Sequence, residues 1–173
     1  METIILIGFM GAGKTSIGRR FSEKNNMDFI DIDNLIEEKA GIMISDIFRI
    51  HGEDYFRKYE TKVLSELLEI KENRVISVGG GLPMQEENRN ILRQLGTIIY
   101  LEVTKETILD RIGRDMSRPL LMGEDREEKV SSLLEERDPT YRELADFTVV
   151  TDMRSFYEII EEIEVSLDEN SYH

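Results

Sequence analysis

The run Gly8-Phe-Met-Gly11-Ala-Gly13-Lys14-Thr15 constrains this chain more than any other part of it. It satisfies G-x-x-x-x-G-K-[ST] in full, follows the apolar stretch Thr3–Ile7 and precedes a helical pattern through Ile17 and Phe21. Strand, phosphate-binding loop and helix are therefore predicted in that order. The glycines let successive backbone N–H groups turn inward toward phosphate oxygens, and the following helix adds the positive end of its dipole. The nucleotide contacts expected here are Gly11, Ala12, Gly13, Lys14, Thr15 and Ser16, with Lys14 reaching the β- and γ-phosphates and the Thr15 hydroxyl binding Mg2+. A glycine turn that merely joined strand to helix would not account for lysine followed by threonine at these places.

Apolar runs rich in β-branched residues recur at Thr3–Ile7, Phe29–Ile32, Val75–Val78, Ile98–Val103 and Phe147–Val150, each short enough for a buried strand. Helical patterns lie between them. The longest runs from about Glu53 to Ile70, where Phe56, Tyr59, Val63, Leu64, Leu67 and Leu68 mark one buried face. Alternation of strand and helix predicts a mostly parallel sheet covered on both sides, an α/β/α arrangement. The 173 residues suit one domain spanning 1–173. Two irregular stretches, Gly79-Gly80-Gly81-Leu82-Pro83 and roughly 113–125, follow strand and helix patterns and are expected to wall the site.

The net charge of −14 argues against a nucleic-acid partner, since phosphate backbones are bound by surplus Lys and Arg. Acidic residues of the C-terminal segment, from Glu158 to Glu169, are expected to form a solvated helix face. The opening apolar run is too short to span a bilayer and has no basic segment before it, so no membrane association is expected. The absence of cysteine excludes thiol catalysis and disulfides and fits a reducing cytoplasm.

A phosphate-binding loop implies a nucleotide without saying how it is used. Guanine-reading N-K-x-D is absent, and the apolar run Val75–Val78 ends in glycine where a motor ATPase would place an aspartate. A small-molecule kinase is left in front, ahead of a nucleotide-dependent signalling module. Asp31 and Asp33 close the second strand pattern as Asp-Ile-Asp, and strand alternation would put both carboxylates on one face. One would face Mg2+ while the other accepts a hydrogen bond from an acceptor hydroxyl. His51 lies in no site pattern and reads as a helix-surface residue.

Further motifs occur in a telling order: Asp31-Ile-Asp33-Asn-Leu-Ile-Glu37, Ile44-Ser-Asp-Ile-Phe48, Gly52-Glu53, Phe56-Arg57-Lys-Tyr-Glu60, Gly79-Gly80-Gly81, Arg118-Pro119-Leu120-Leu121 and Arg137-Asp-Pro139-Thr-Tyr141. In order and spacing the chain resembles a shikimate kinase from its first strand to about Tyr141. The resemblance implies a five-stranded parallel sheet in the order 2-3-1-4-5, a mobile lid over about 113–125, and a shikimate-binding region over about 31–60. It implies ATP and shikimate as substrates, with shikimate 3-phosphate and ADP as products, and a monomer. Asp33, Arg57, Gly79, Gly80, Gly81 and Arg137 would hold shikimate, the two arginines on its carboxylate and Asp33 on its hydroxyls as base or as orienting group. Guanidinium groups pair bidentately with carboxylates, and glycines expose backbone N–H groups at close range, so the division of labour is physically sound. Glu60, one turn beyond Arg57, would fix the arginine's rotamer, and Phe48 and Phe56 would pack against the ring. Lys14, Asp33 and Arg118 would carry catalysis, Thr15 and Asp31 the metal, and Arg111 and Arg154 would flank adenine. A gluconate-type kinase would share the phosphate cradle without the Phe-Arg-x-x-Glu and triple-glycine pair.

Overall fold

The computed structural model describes residues 2–113 and 125–170. Strands β1 (Thr3–Ile7), β2 (Asp28–Asp31), β3 (Arg74–Ser77), β4 (Thr97–Glu102) and β5 (Phe147–Val150) form one parallel sheet in the order β2-β3-β1-β4-β5. The central strands are buried on both faces: Ile4 to Ile7, Val75, Ile76 and Ile98 to Leu101 are all at most 1% exposed. Such strands read as continuous apolar runs instead of alternating ones.

Two strands match the apolar runs end for end, while β2, β3 and β4 begin and end one residue earlier than those runs. The reason is register. Polar residues Asp28, Arg74 and Thr97 open these strands and pair with Arg74, Thr3 and Ile4. Backbone hydrogen bonding admits them where hydropathy does not.

Eight helices connect or flank the strands: α1 (Lys14–Lys24), α2 (Ile32–Ala40), α3 (Ile44–His51), α4 (Glu53–Glu66), α5 (Glu86–Leu95), α6 (Lys105–Gly113), α7 (Arg126–Leu144) and α8 (Phe156–Asn170) among the described residues. The crossover through α1 runs outward from β1 to β2, whereas the later crossovers run the other way across the sheet. Right-handed connections then place α1 on one face and α5 and α7 on the other, and α8 returns to pack on α1. Gly18 makes the close approach of α1 possible, because a Cβ there would lie 2.6 Å from the Phe29 ring. The expected long helix from Glu53 is shorter than its apolar pattern: α4 ends at Glu66 and a 3-10 turn, Leu67–Glu69, takes up the remainder. Of its predicted face, Phe56, Val63, Leu64 and Leu67 are buried, and Tyr59 and Leu68 are half-buried against the core. In α8, Ile159, Ile160 and Ile163 face inward and its acids lie exposed or half-exposed.

Neighbouring β1 and β3 send the chain in opposite directions, so the crevice beyond their C-terminal ends is a topological switch point. The loops 8–13 and 78–81 meet there. No helix among the described residues is long and apolar enough to cross a membrane.

Candidate active site

The phosphate loop bends through glycines at left-handed torsions, Gly11 with φ 82° and Gly13 with φ 93°. Gly13 is also the residue before α1, so the loop delivers its N–H groups to the helix N-terminus. Lys14 Nζ donates to the carbonyls of Gly8 at 2.8 Å and Phe9 at 2.9 Å, which holds the ammonium over the concave side of the loop. Thr15 Oγ1 donates to Asp31 Oδ2 at 2.7 Å.

The expectation for Asp31 and Asp33 needs correction. They do not share one face of a strand, because β2 ends at Asp31 and Asp33 lies in the first turn of α2. Asp31 Oδ1 accepts from the N–H groups of Asp33 at 3.0 Å and Asn34 at 3.3 Å, capping the helix and turning the chain. Both carboxylates still line one cavity of about 390 Å3, with residues 11–16 of the phosphate loop, Gly79, Gly80, Arg111 and Arg154. Capping aims Asp31 at Thr15 and leaves Asp33 one turn deeper, toward the glycine triplet.

Gly81, Arg57 and Arg137 do not line that cavity, and the two arginines lie against the triplet. A Cβ added to Gly79 would lie 3.0 Å from Asp33 Oδ1; one on Gly80 would lie 3.2 Å from Arg137 Nη1 and 3.2 Å from the Tyr141 hydroxyl; one on Gly81 would lie 2.7 Å from Arg57 Nη2. Three consecutive glycines thus touch one carboxylate and two guanidinium groups, and side chains in this loop would push them apart. Arg57 Nη1 donates to Glu60 Oε2 at 2.8 Å, the partnership expected from their spacing. Glu60 is 1% exposed, and burial pushes its carboxyl up to about 7 against the pull of Arg57 and with a further push from Asp33. Arg137 lies 5.8 Å from the Phe9 ring centroid, and its Nε is buried with no hydrogen-bond partner among the described residues.

Phe48 and Phe56 pack on each other with tilted rings, centroids 4.6 Å apart, and Phe56 is buried in the core beneath Arg57. At the opposite end of the cavity, Arg111 donates to the Gly11 carbonyl at 2.7 Å. Arg154 is held by the carbonyls of Val150 and Glu158 and by Glu162, beside Phe156. His51 is exposed and stacks on Tyr55, a surface pairing away from the cavity. Arg118 and residues 114–124 of the expected lid lie outside the described residues.

A family model described as shikimate kinase matches residues 10–168. The chain belongs to the shikimate kinase family. A shikimate kinase of Sulfurihydrogenibium is 44% identical over 163 residues, covering 94% of this chain and 96% of the relative. Among solved structures, a shikimate kinase from Acinetobacter baumannii in complex with shikimate superimposes with a TM-score of 0.92 at 40% identity, covering 98% of this chain and 94% of that one. A gluconokinase from Sinorhizobium meliloti reaches a TM-score of 0.61 at 20% identity, covering 99% of this chain and 95% of that one, and shares the fold alone.

One site residue of this family member had no role assigned from sequence. Tyr141 is fully buried, and its hydroxyl donates to the Gly80 carbonyl at 2.5 Å. Burial pushes the phenol up to about 12, with Arg137 pulling the other way, so at neutral pH it carries its proton. The residue stood in plain view in Arg137-Asp-Pro-Thr-Tyr141. Its spacing of four from Arg137 on a helix was the available signal.

Proposed function

We propose that this chain transfers the γ-phosphoryl group of ATP to the 3-hydroxyl of shikimate, giving shikimate 3-phosphate and ADP. The observation that carries the reading is the junction of a phosphate loop with an acceptor wall. Asp33, Arg57 and Arg137 converge on Gly79, Gly80 and Gly81 at one end of the cavity that residues 11–16 line. Phosphoryl transfer asks a protein mainly for in-line placement and charge neutralisation, and these groups supply both.

In this reading the loop amides and Lys14 hold the triphosphate, and Arg111 and Arg154 border the base. Thr15 and Asp31 fit Mg2+: their oxygens lie 2.7 Å apart and face the phosphate loop, and Mg2+ is bound by one or two hard oxygen ligands plus substrate phosphates. Held there, Mg2+ would supply positive charge against the triphosphate as charge develops in transfer. Asp33 accepts the hydrogen bond of the 3-hydroxyl and draws its proton as the oxygen attacks. Arg57, aligned by Glu60, and Arg137 pair with the shikimate carboxylate. Arg118 adds a cation from the lid segment 113–125 to the γ-phosphate. A single catalytic unit over 1–173, a monomeric state and a cytoplasmic location complete the reading, and sedimentation velocity tests the second.

The deciding experiment is a coupled ADP-release assay with shikimate, with gluconate and without acceptor. Shikimate-dependent release that gluconate does not reproduce is the expected result. Release independent of any acceptor would leave a nucleotide-hydrolysing module instead.

A further inference from the structure

Of the polar side chains nearest the glycine triplet among the described residues, Asp33, Arg57, Glu60 and Arg137 have a task in the proposed reaction and the Tyr141 hydroxyl has none. The ring is 0% exposed and packs on Tyr100 with centroids 5.2 Å apart, so the hydroxyl has one position available to it. It donates its proton to the Gly80 carbonyl at 2.5 Å. The point where a Gly80 Cβ would sit is 3.2 Å from both this oxygen and Arg137 Nη1, so hydroxyl and guanidinium flank the same peptide. With its proton committed to the carbonyl, the phenolic oxygen turns its lone pairs toward the cation.

The consequence follows from peptide planarity. In a trans peptide the C=O of one residue and the N–H of the next point in opposite directions in one plane. Fixing the Gly80 carbonyl from behind therefore fixes the Gly81 N–H on the opposite side, and that N–H makes no hydrogen bond among the described residues. Glycine has no Cβ to restrict this peptide, so without a tether its plane is free to rock.

We infer that Tyr141 is a positioning residue for acceptor capture: its hydroxyl locks the Gly80–Gly81 peptide plane and Arg137 into the orientation that receives an anionic hydroxy acid. The inference rests on the proposed shikimate kinase activity. Tyr100 provides the internal control. Its hydroxyl donates to Asp138 at 2.7 Å on the same helix, α7, and makes no hydrogen bond to Gly80 or Arg137 among the described residues. Both hydroxyls tie α7 to the sheet side of the molecule, so a purely structural loss should be common to the two variants.

The test compares wild type, Tyr141→Phe and Tyr100→Phe by steady-state kinetics in each substrate and by thermal unfolding, at a temperature where circular dichroism shows all three folded. Tyr141→Phe is expected to raise the shikimate KM about fivefold to tenfold, in line with one lost buried hydrogen bond of about 1 kcal/mol plus a loosened guanidinium. Its ATP KM should stay within about twofold of wild type, and Tyr100→Phe should leave both KM values within about twofold. An unchanged shikimate KM in Tyr141→Phe overturns the inference, as does a parallel rise in both KM values or an equal shikimate effect in Tyr100→Phe. Wild-type protein that does not turn over shikimate at all would defeat the proposed function itself, an outcome the wild-type arm reports separately.

Discussion

Gly81→Ala separates the acceptor site from the fold. Gly81 has φ −86° and ψ −16°, torsions that alanine adopts without strain. The new Cβ would lie 2.7, 2.9 and 3.1 Å from Arg57 Nη2, Nη1 and Cζ, the end of a flexible side chain and not backbone. Ordinary contact begins near 3.4 Å, so the guanidinium must withdraw by about 0.7 Å or swing aside, giving up its alignment with Glu60 at 2.8 Å. A charge-assisted hydrogen bond pair contributes about 1.5–3 kcal/mol, so shikimate kcat/KM should fall roughly tenfold to 150-fold. Stability should hold or rise slightly, because alanine restricts the unfolded chain by about 0.4–1 kcal/mol relative to glycine. The assay is ADP release with shikimate varied at saturating ATP, then the converse, beside a thermal melt. The decisive arm is the double variant: with Arg57→Ala already present, Gly81→Ala should add little, since its effect passes through that guanidinium. Full additivity, or a wild-type shikimate KM in Gly81→Ala, would show that Arg57 does not hold the acceptor.

Asp33→Asn keeps size and loses charge, so kcat should fall by about a hundredfold or more with ATP affinity nearly unchanged; near-normal turnover removes Asp33 from the chemistry. Glu60 gives a signed pH dependence: its carboxyl goes from the ordinary 4.5 to about 7 on folding, so the native state holds a proton that the unfolded chain releases. Stability from this group is complete below about pH 4.5 and is lost as pH rises through about 7, by as much as about 3 kcal/mol. Urea midpoints of wild type and Glu60→Gln compared at pH 5 and pH 8 check this; the variant should decline less, and equal slopes would refute it. Arg118→Ala is expected to lower kcat more than it changes shikimate affinity, and a pure KM effect in rapid-kinetic assays would place that arginine with Arg57 and Arg137 instead.

The phosphate loop was legible because its chemistry is local: eight consecutive residues carry the turn, the amides, the lysine and the hydroxyl. The five strands were legible because double burial writes itself as an apolar run, and the family's motifs supplied their order. Asp31 and Asp33 show where that reasoning stops. Period-two alternation cannot foresee that a carboxylate at the strand's last residue will cap the next helix, since capping and strand continuation draw on the same Asp-Ile-Asp.

Sequence by itself therefore determined the α/β class and the phosphate loop, and it named candidates for the acceptor site, because each reading rests on neighbours along the chain or on motifs with fixed spacing. Which of those residues touch was decided only by tertiary packing. Asp33, Arg57, Glu60, Arg137 and Tyr141 come from three helices, α2, α4 and α7, and meet at Gly79–Gly81 only because the sheet order brings the end of β3 beside the phosphate loop after β1. The raised carboxyl of Glu60 and the buried Tyr141 hydroxyl follow from that meeting. Burial and Coulomb interaction depend on distance through space, and separation along the chain does not set that distance.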